Sequence, residues 1–343
     1  MKLNRNKLII FLLDNLIWIL LLITIIIFSS LSPRFLNVQN IRIILVHSSV
    51  LGVMVVGQSF TLLTGNFDLS SESVLGLAAT IGAWLLVPAG APHFGSGYMV
   101  PPIVAVIAML GLGLFVGWLN GFLITRLKMN NFIVTLSMLI ILRGVILVWN
   151  EGASISGMPA SFLALGHDSI GPFPISVLTM LLVFAIAYIV TKYTRFGRDL
   201  YAVGGNREAA LVSGIDPQRR IRHVYLISGF LAAFAAWIAL GRIGVAMEAL
   251  GEGMIFEIQA AAVIGGISLF GGRGSMIGAL GGVLLLATIN AGLNLIGVSG
   301  FMIDAFRGVI IMVACLIDAQ KVRIKHAEPT TASTMIITSA ADQ

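Results

Sequence analysis

Six ionisable side chains lie within or beside long apolar runs of this sequence, where a charge is costly and therefore indicates a function or a specific partner. They are Asp68, Glu72, Arg143, Glu257, Asp304 and Arg307. Asp68 and Glu72 precede an Ala/Gly-rich run. Asp68 can cap a helix that begins near Leu69, with Glu72 in its first turn. The alternative is that both line a polar path through the apolar region.

The remaining charges allow the same two interpretations. Asp304 and Arg307 are three residues apart, which places them on one helix face where they can pair. Arg143 has no partner nearby in sequence, and a carbonyl group across a helix interface could accept its hydrogen bond. Glu257 and Gln259 lie in a second Ala-rich run. The candidates for a polar path are Asn66, Asp68, Ser70, Glu72, Glu257 and Gln259.

Catalytic signatures are missing from the sequence. It has no His-Glu-x-x-His zinc motif and no Gly-x-Ser-x-Gly elbow. Its single cysteine, Cys315, excludes an intrachain disulfide and a multi-cysteine metal site. The Gly-rich stretch 271–274 lacks the lysine of a phosphate loop, so this chain is not expected to hydrolyse ATP. We predict a protein that is not an enzyme and binds no metal or cofactor itself.

The composition indicates a membrane protein. Of the 343 residues, 58% are apolar and only 10% are charged, against roughly 25% charged residues in soluble domains. So few charges cannot cover a water-exposed surface, and the mean hydropathy of +1.00 agrees. The net charge of +6 is explained by basic residues in cytoplasmic loops, so no nucleic-acid partner is expected.

Membrane-spanning helices need about 20 apolar residues each. The candidate runs are 8–30, 43–63, 74–90, 101–125, 131–149, 174–191, 223–241, 255–270, 276–297 and 303–319. The short runs 74–90 and 255–270 are candidates for broken or re-entrant helices. The predicted fold is an all-α polytopic membrane protein with about ten transmembrane helices in one domain, 1–320. Residues 321–343 are predicted to form a disordered tail.

Lys and Arg residues predict the orientation of the spans. Basic residues flank the first and last runs and crowd the segment 192–222, whereas 91–100 and 150–173 contain none. We therefore expect both termini and 192–222 in the cytoplasm, and 150–173 outside.

Glycine is abundant, with 38 residues, many of them within or beside apolar runs. Small residues allow close helix packing in lipid, and glycine-rich junctions also let helices break. The stretches 65–79 and 251–262 are faintly alike, since each leads from polar residues into a short Ala/Gly-rich run. By the predicted topology they cross in opposite directions, which indicates an inverted repeat.

The predicted cytoplasmic segment contains the signature of a short helix. Asn206 is suited to the N-cap, Glu208 to the first turn and Gly214 to a left-handed stop, while Ala209, Ala210 and Leu211 give a compact apolar surface. A helix this short is unstable alone in water, so packing must hold it.

Four segments resemble the permease subunits of bacterial monosaccharide ABC importers, the ribose-type group. They are GNFDLSSES at 65–73, NFIVTL at 131–136, GRDLYAVGGNREAALVSGI at 197–215 and IQAAAVIGGISLFGGRGSMIGALGG at 258–282. The resemblance covers roughly residues 35–320. In the first segment Asn66, Phe67, Ser71 and Glu72 depart from the family's usual Gly-Gly-Ile-Asp-Leu-Ser-Val-Gly-Ser.

This resemblance implies the importer fold of the vitamin B12 permease, in the bacterial inner (cytoplasmic) membrane. It implies a second permease subunit, identical or a sister chain, together with ATPase subunits that bind ATP and Mg²⁺. A periplasmic binding protein would deliver the sugar. The residues of ATPase coupling would be Gly204, Gly205, Asn206, Arg207, Glu208, Ala209, Ala210 and Gly214.

Two other functions stay open. A self-sufficient carrier or channel for a small polar solute would need a buried ion site, with Asp68, Glu72 and Glu257 as its acidic candidates. It would have no use for a docking surface at 192–222. An ABC permease could also carry a non-sugar solute, such as a branched-chain amino acid, a nucleoside or a signalling furanose.

The topology can be tested by cysteine labelling in intact cells. In a background with Cys315 replaced by serine, an impermeant reagent should label a cysteine at Ser161, because 150–173 is predicted outside. A cysteine at Ser213, in 192–222, serves as the control and should be protected. Protection of the cysteine at Ser161 would contradict the ten-span topology.

Overall fold

The computed structural model describes residues 15–90 and 94–300 and isolated positions between 302 and 312. Its helices are α1 (Leu16–Leu31), α2 (Val38–Leu63), α3 (Ser71–Leu86), α4 (Pro102–Thr125), α5 (Asn131–Asn150), α6 (Ala160–His167), α7 (Ile175–Tyr193), α8 (Arg195–Gly205), α9 (Arg207–Val212), α10 (Pro217–Ile243), α11 (Met254–Ile264) and α12 (Met276–Leu295). Its two-residue strands are β1 (Ile155–Ser156), β2 (Ser169–Ile170), β3 (Phe173–Pro174) and β4 (Val245–Ala246). Strand β1 pairs antiparallel with β4, and β2 with β3.

Six helices in the described part of the chain are long and apolar enough to cross a membrane. They are α2, α4, α5, α7, α10 and α12, and each coincides with a predicted run. Helices α1, α3 and α11 are shorter. The eleven residues of α11 cover about 16 Å, roughly half of a hydrocarbon core. The short helices α3 and α11 occupy most of the runs 74–90 and 255–270, and a nonhelical stretch precedes each of them, 64–70 before α3 and 244–253 before α11. A broken or re-entrant course through the membrane stays a prediction.

Several sequence predictions fall outside the described residues. These are the charges before the first run, the start of the run 8–30, the Asp304–Arg307 pair, Cys315 and the tail 321–343. The run 303–319 is described only at isolated positions, so the count of ten spans stays a prediction.

Helices α2 and α10 form the centre of the bundle and are buried along most of their apolar length. Helices α4, α5 and α7 lie outside them and expose large apolar side chains, such as Ile107, Ile140 and Leu182. Apolar faces of this extent do not suit water, but lipid can cover them.

The helices that follow each central helix in the sequence pack on the other central helix. Helix α4 packs on α10, whereas α12 packs on α2, and α2 and α10 also contact each other. The short helices follow the same pattern, because α3 packs on α10 and α11 packs on α2. Each of the segments α2–α4 and α10–α12 thus places its second and third helices against the first helix of the other.

The segments 150–173 and 192–222 lie at opposite ends of α10. The 27 residues of α10 span about 40 Å. Its last turns contact α6, where Trp237 Nε1 donates to the Phe162 carbonyl at 2.8 Å. Its first residues continue from α9. Segment 150–173 was predicted as a loop, but it contains α6 and β1 to β3 and forms a small cap on the bundle.

Glycines bring α4 and α10 into backbone contact. A Cβ atom on Gly113 would overlap the carbonyl oxygen of Gly229, and one on Gly117 would overlap that of Tyr225. By contrast, a Cβ atom on Gly111 of the same helix meets nothing within 4 Å. The close approach of α4 therefore depends on particular glycines rather than on glycine content.

This contrast gives a stability test. Gly113→Ala should destabilise the protein by about 1–3 kcal/mol, because overpacking forces two backbones apart. Gly111→Ala is the matched control on α4 and should be neutral or slightly stabilising, because alanine favours a helix. The readout is the midpoint of thermal unfolding of the purified protein in detergent. An equal fall of the unfolding midpoint in the two variants would contradict the proposed contact between α4 and α10.

Candidate functional site at the two interrupted helices

A buried polar turn separates α2 from α3. Asp68 is 1% exposed, and its Oδ1 accepts hydrogen bonds from the backbone N–H (3.1 Å) and the hydroxyl (2.6 Å) of Ser70. Its Oδ2 accepts from the Ser228 hydroxyl of α10 at 2.6 Å. These three donors offset the cost of burying the carboxylate.

The expected cap at Asp68 is wrong in position. Helix α3 begins at Ser71 rather than near Leu69, and Ser70 occupies the N-cap position. The Asp68 carboxylate bonds the N–H of a residue before the helix and reaches across to α10. The reason is tertiary, because a buried carboxylate takes the hydroxyl donor that α10 offers.

The same turn is also fixed to its neighbours by other side chains. Asn120 of α4 donates its amide to the Ser70 hydroxyl oxygen at 2.9 Å. Tyr225 of α10 donates its hydroxyl to the Phe67 carbonyl at 2.6 Å. The interruption after α2 is therefore held by two long helices, and its polar groups are largely satisfied within the bundle.

Asn66 connects this turn to two other segments. Its Oδ1 accepts from Arg207 Nη2 of α9 at 3.1 Å and from Asn131 Nδ2 of α5 at 3.2 Å. Its own amide donates to the Thr64 carbonyl at 3.0 Å. One side chain thus joins the α2–α3 interruption to the starts of α5 and α9.

The second interruption precedes α11, and the side chain of Glu72 caps the start of that helix. The N-cap of α11 is Gly253, which has no side chain to cap the helix. Glu72 Oε2 accepts the N–H of Ile255, in the first turn of α11, at 2.9 Å. Glu72 itself lies in the first turn of α3. The N-termini of α3 and α11 therefore meet at one carboxylate, which both helix dipoles favour.

Arg143 stabilises the chain just before α11. Its Nη1 donates to the Glu248 carbonyl at 2.6 Å, and its Nη2 lies 3.8 Å from Glu72 Oε1. The sequence left open a carbonyl across a helix interface, and the carbonyl found belongs instead to the nonhelical stretch before α11. The ion pair was missed, because 71 residues separate Arg143 from Glu72 and no local pattern relates them.

Glu257 and Gln259 both lie on α11. Glu257 is buried, and its Oε1 accepts from Asn290 Nδ2 of α12 at 3.2 Å. This contact parallels the one between Asn120 and Ser70, since in each case an amide of a long helix bonds a polar side chain beside a short one. Gln259 Oε1 is buried without a hydrogen-bond partner in the described residues.

The six path candidates do not form one cluster. Asp68 and Ser70 face α4 and α10, Glu72 faces α11, and Glu257 faces α12. A polar cavity of about 650 Å³ is lined by Asn66 but by none of the other five. The lining of a path by these side chains stays a prediction.

The short helix at 206–214 has the ends that the sequence predicts. Asn206 Oδ1 accepts the N–H groups of Glu208 and Ala209, both at 3.0 Å. Gly214 has φ +80°, and the N–H of Ile215 bonds the Ala210 carbonyl at 3.0 Å. These contacts form a capped start and a left-handed stop.

The apolar surface of α9 differs from the predicted one. Ala210 faces inward and is buried. Leu211 and Val212 face outward, with 62% and 90% of their surface exposed. An exposed pair of this kind at a helix end is suited to contact with another protein.

Glycines join α8 to the end of α2 and to the connection between α11 and α12. A Cβ atom on Gly204 would overlap the Leu63 carbonyl, and one on Gly272 would overlap the backbone of Gly205. The N–H of Gly272 donates to the Leu63 carbonyl at 3.0 Å. Because Leu63 ends α2 and Gly272 follows α11, the end of α8 contacts the α2–α3 interruption and the connection between α11 and α12.

A bundle with six membrane-length apolar helices and two interruptions at its core defines a multi-pass membrane protein. Residues 40–315 match the family described as "Branched-chain amino acid transport system / permease component", and the chain belongs to this family. The family is a transport component of ABC importers. No solved structure matches the chain significantly.

Curated relatives cover most of the chain. It is 39% identical over 303 residues to the ribose import permease protein RbsC of Bacillus subtilis (strain 168), covering 88% of this chain and 91% of the relative. It is 35% identical over 331 residues to the galactose/methyl galactoside import permease protein MglC of Haemophilus influenzae, covering 93% and 98%. It is 36% identical over 307 residues to RbsC of Escherichia coli (strain K12), covering 88% and 92%.

The cap that Glu72 provides can be tested by substitution. Glu72→Ala should lower the free energy of unfolding by about 1–3 kcal/mol, because it removes the acceptor of a buried N–H. Glu72→Gln keeps a side-chain oxygen for Ile255 and should lose less. Glu252→Ala, at an exposed position just before α11, is the control. Thermal unfolding in detergent measures all three, and equal losses for Ala and Gln would exclude the capping role.

Proposed function

We propose that this chain is the membrane-spanning permease subunit of a bacterial ABC importer for a small sugar. The observation that carries the proposal is the similarity to sugar permeases, at 35–39% identity along about nine-tenths of the chain. The exposed apolar end of α9 supports it, because a permease driven by another chain needs a surface on which that chain can act.

The ATPase subunits would act on α9 and on the end of α8. Leu211 and Val212 would contact the ATPase, which would bind ATP and Mg²⁺, while this chain would bind no cofactor. Displacement of α9 would pull on Asn66 through Arg207. Displacement of α8 would move Gly204 and Gly205 against Leu63 and the chain after α11. The coupling residues predicted from the sequence would therefore transmit force to the α2–α3 interruption through Asn66 and Leu63, and to the connection after α11 through Gly272.

The finer architecture belongs to the same proposal. We infer about ten spans arranged as an inverted repeat, in the importer fold of the vitamin B12 permease. The exchanged packing of α4 and α12 supports the repeat, as do the paired N-termini at Glu72 and the parallel Asn120 and Asn290 contacts. Residues 1–320 would form the membrane domain, with 321–343 as a tail.

The orientation would place the chain in the bacterial inner membrane with both termini in the cytoplasm. Segments 150–173 and 192–222 lie at opposite ends of α10, and only the second carries Lys or Arg. The basic end would face the ATPase. The cap formed by 150–173 would face the periplasm, where a sugar-binding protein would dock. A second permease subunit, identical or a sister chain, would complete the path.

Two alternatives differ in energy source and in solute. A secondary carrier would need an ion site at Asp68, Glu72 or Glu257, but protein donors already bond each of these carboxylates. An ABC permease for a non-sugar solute is the stronger alternative, because the family takes its name from branched-chain amino acid transport.

Reconstitution tests the function and the coupling together. The chain alone in liposomes should neither accumulate sugar nor hydrolyse ATP. With its ATPase and binding protein it should take up ribose or galactose at the expense of ATP. In that complex, Ala210→Trp and Gly214→Val should abolish uptake without loss of the inserted chain, because the first places bulk at a buried position and the second forces valine into a left-handed conformation.

Arg207→Glu refines the test. The resemblance implies that Arg207 is an ATPase-coupling residue, where charge reversal at a docking contact would weaken ATPase association, whereas the bond to Asn66 gives Arg207 an internal role. Uptake should therefore fall while ATPase pull-down is retained. Arg219→Glu, at an exposed position of α10, is the matched charge-reversal control. Proton- or sodium-driven accumulation by the chain alone would favour a carrier, and normal uptake in all three coupling variants would exclude the coupling role.

A further inference from the structure

A polar cavity of about 650 Å³ lies beside α9, between the α2–α3 and α4–α5 connections. Side-chain amides and two cations dominate its polar lining, namely Asn66, Asn130, Asn131, Asn206, Lys128 and Arg207. No Asp or Glu is among the described residues that line it. The cavity therefore has excess positive charge and many groups that can bond hydroxyls.

Neither cation has a carboxylate partner in the part of the chain that the structure describes. The ion pairs found there are Arg143 with Glu72 and Arg220 with Asp199. Arg207 donates one bond, to the neutral amide oxygen of Asn66. Lys128 has φ +55°, a left-handed conformation that costs a side-chain-bearing residue about 1–2 kcal/mol. This strained backbone holds a lysine at the cavity wall.

The chemistry of the lining identifies a class of ligand. A phosphate monoester carries roughly −1.5 to −2 charges at pH 7, which complements one Lys and one Arg. The side-chain oxygens of Asn130 and Asn206 already accept backbone N–H groups, and their NH₂ groups can donate to sugar hydroxyls. The exposed ring of Phe270 adds an apolar wall. We propose that this cavity binds a phosphorylated small sugar, the product of the phosphoryl transfer that would consume an imported sugar.

The position of the cavity gives such a ligand a regulatory effect on import. This regulatory effect rests on the proposed function. The cavity includes both sides of the contact between Arg207 of α9 and Asn66 of the α2–α3 connection. A ligand held by Lys128 and Arg207 fixes α9 against the α4–α5 connection and opposes its displacement by the ATPase. Because the accumulated sugar phosphate binds this position of α9 more tightly than the displaced one, it lowers import.

Binding is tested on the full chain in lipid nanodiscs by calorimetry. The probes are ribose 5-phosphate, galactose 6-phosphate, the two unphosphorylated sugars and inorganic phosphate. At least one sugar phosphate should bind tenfold or more tightly than its sugar or inorganic phosphate. Lys128→Asn removes the charge with a residue that tolerates left-handed backbone, and should weaken binding about tenfold. Arg126→Asn is the control, since Arg126 is exposed nearby and outside the lining.

Regulation is tested on the assembled complex, with each variant compared with its own rate without ligand. Sugar phosphate on the α9 side should lower sugar-stimulated ATP hydrolysis several-fold in the unmodified chain and in Arg126→Asn, but not in Lys128→Asn. Equal binding of the neutral sugar, equal binding of inorganic phosphate, or no binding of either sugar phosphate would overturn the proposal. It is also overturned if Lys128→Asn instead weakens ATPase pull-down, since the cavity would then accept an acidic segment of that partner. Sugar uptake without added sugar phosphate reports separately on the proposed function.

Discussion

Backbone N–H and C=O groups within a membrane must find partners inside the protein, and this constraint governs the centre of the structure. The chain interrupts two helices there, and each interruption exposes polar groups that a continuous helix would satisfy. Glu72 bonds the first turn of α11, and Arg143 bonds the carbonyl of Glu248 that precedes it. At the interruption before α11, these two side chains thus supply an acceptor for one backbone N–H and a donor for one carbonyl.

The buried acidic residues stabilise the interruptions. Hydroxyls hold Asp68, a backbone N–H and an arginine hold Glu72, and an amide holds Glu257. Hydrogen bonds to charged groups contribute about 1.5–3 kcal/mol each, so a few of them fix an interruption. Because these hydrogen bonds are few, an external source of energy can also shift the arrangement. This suits a permease that responds to a separate ATPase better than it suits a chain that binds its own driving ion.

The short helices α8 and α9 are connected to the centre by different kinds of contact. The bond from Arg207 to Asn66 can break or re-form when α9 moves. The glycine contacts of α8 are backbone against backbone, so they transmit displacement with little room for adjustment. Since the proposed sugar-phosphate cavity includes the first contact, energy supply and product level would act on the same pair of residues.

Features that depend on local chemistry could be predicted from the sequence alone. The six long spans followed from apolar length, and the ends of α9 followed from Asn206 and Gly214, whose bonding partners lie within a few residues. The two short apolar runs that hold α3 and α11 were also visible, because the length of an apolar run is a local signal. The partners of Glu72, Asp68 and Asn66 lie 183, 160 and 141 residues away and could be identified only from the folded chain. Those contacts depend on how the helices cross, and a single sequence carries no periodic pattern that relates such distant positions.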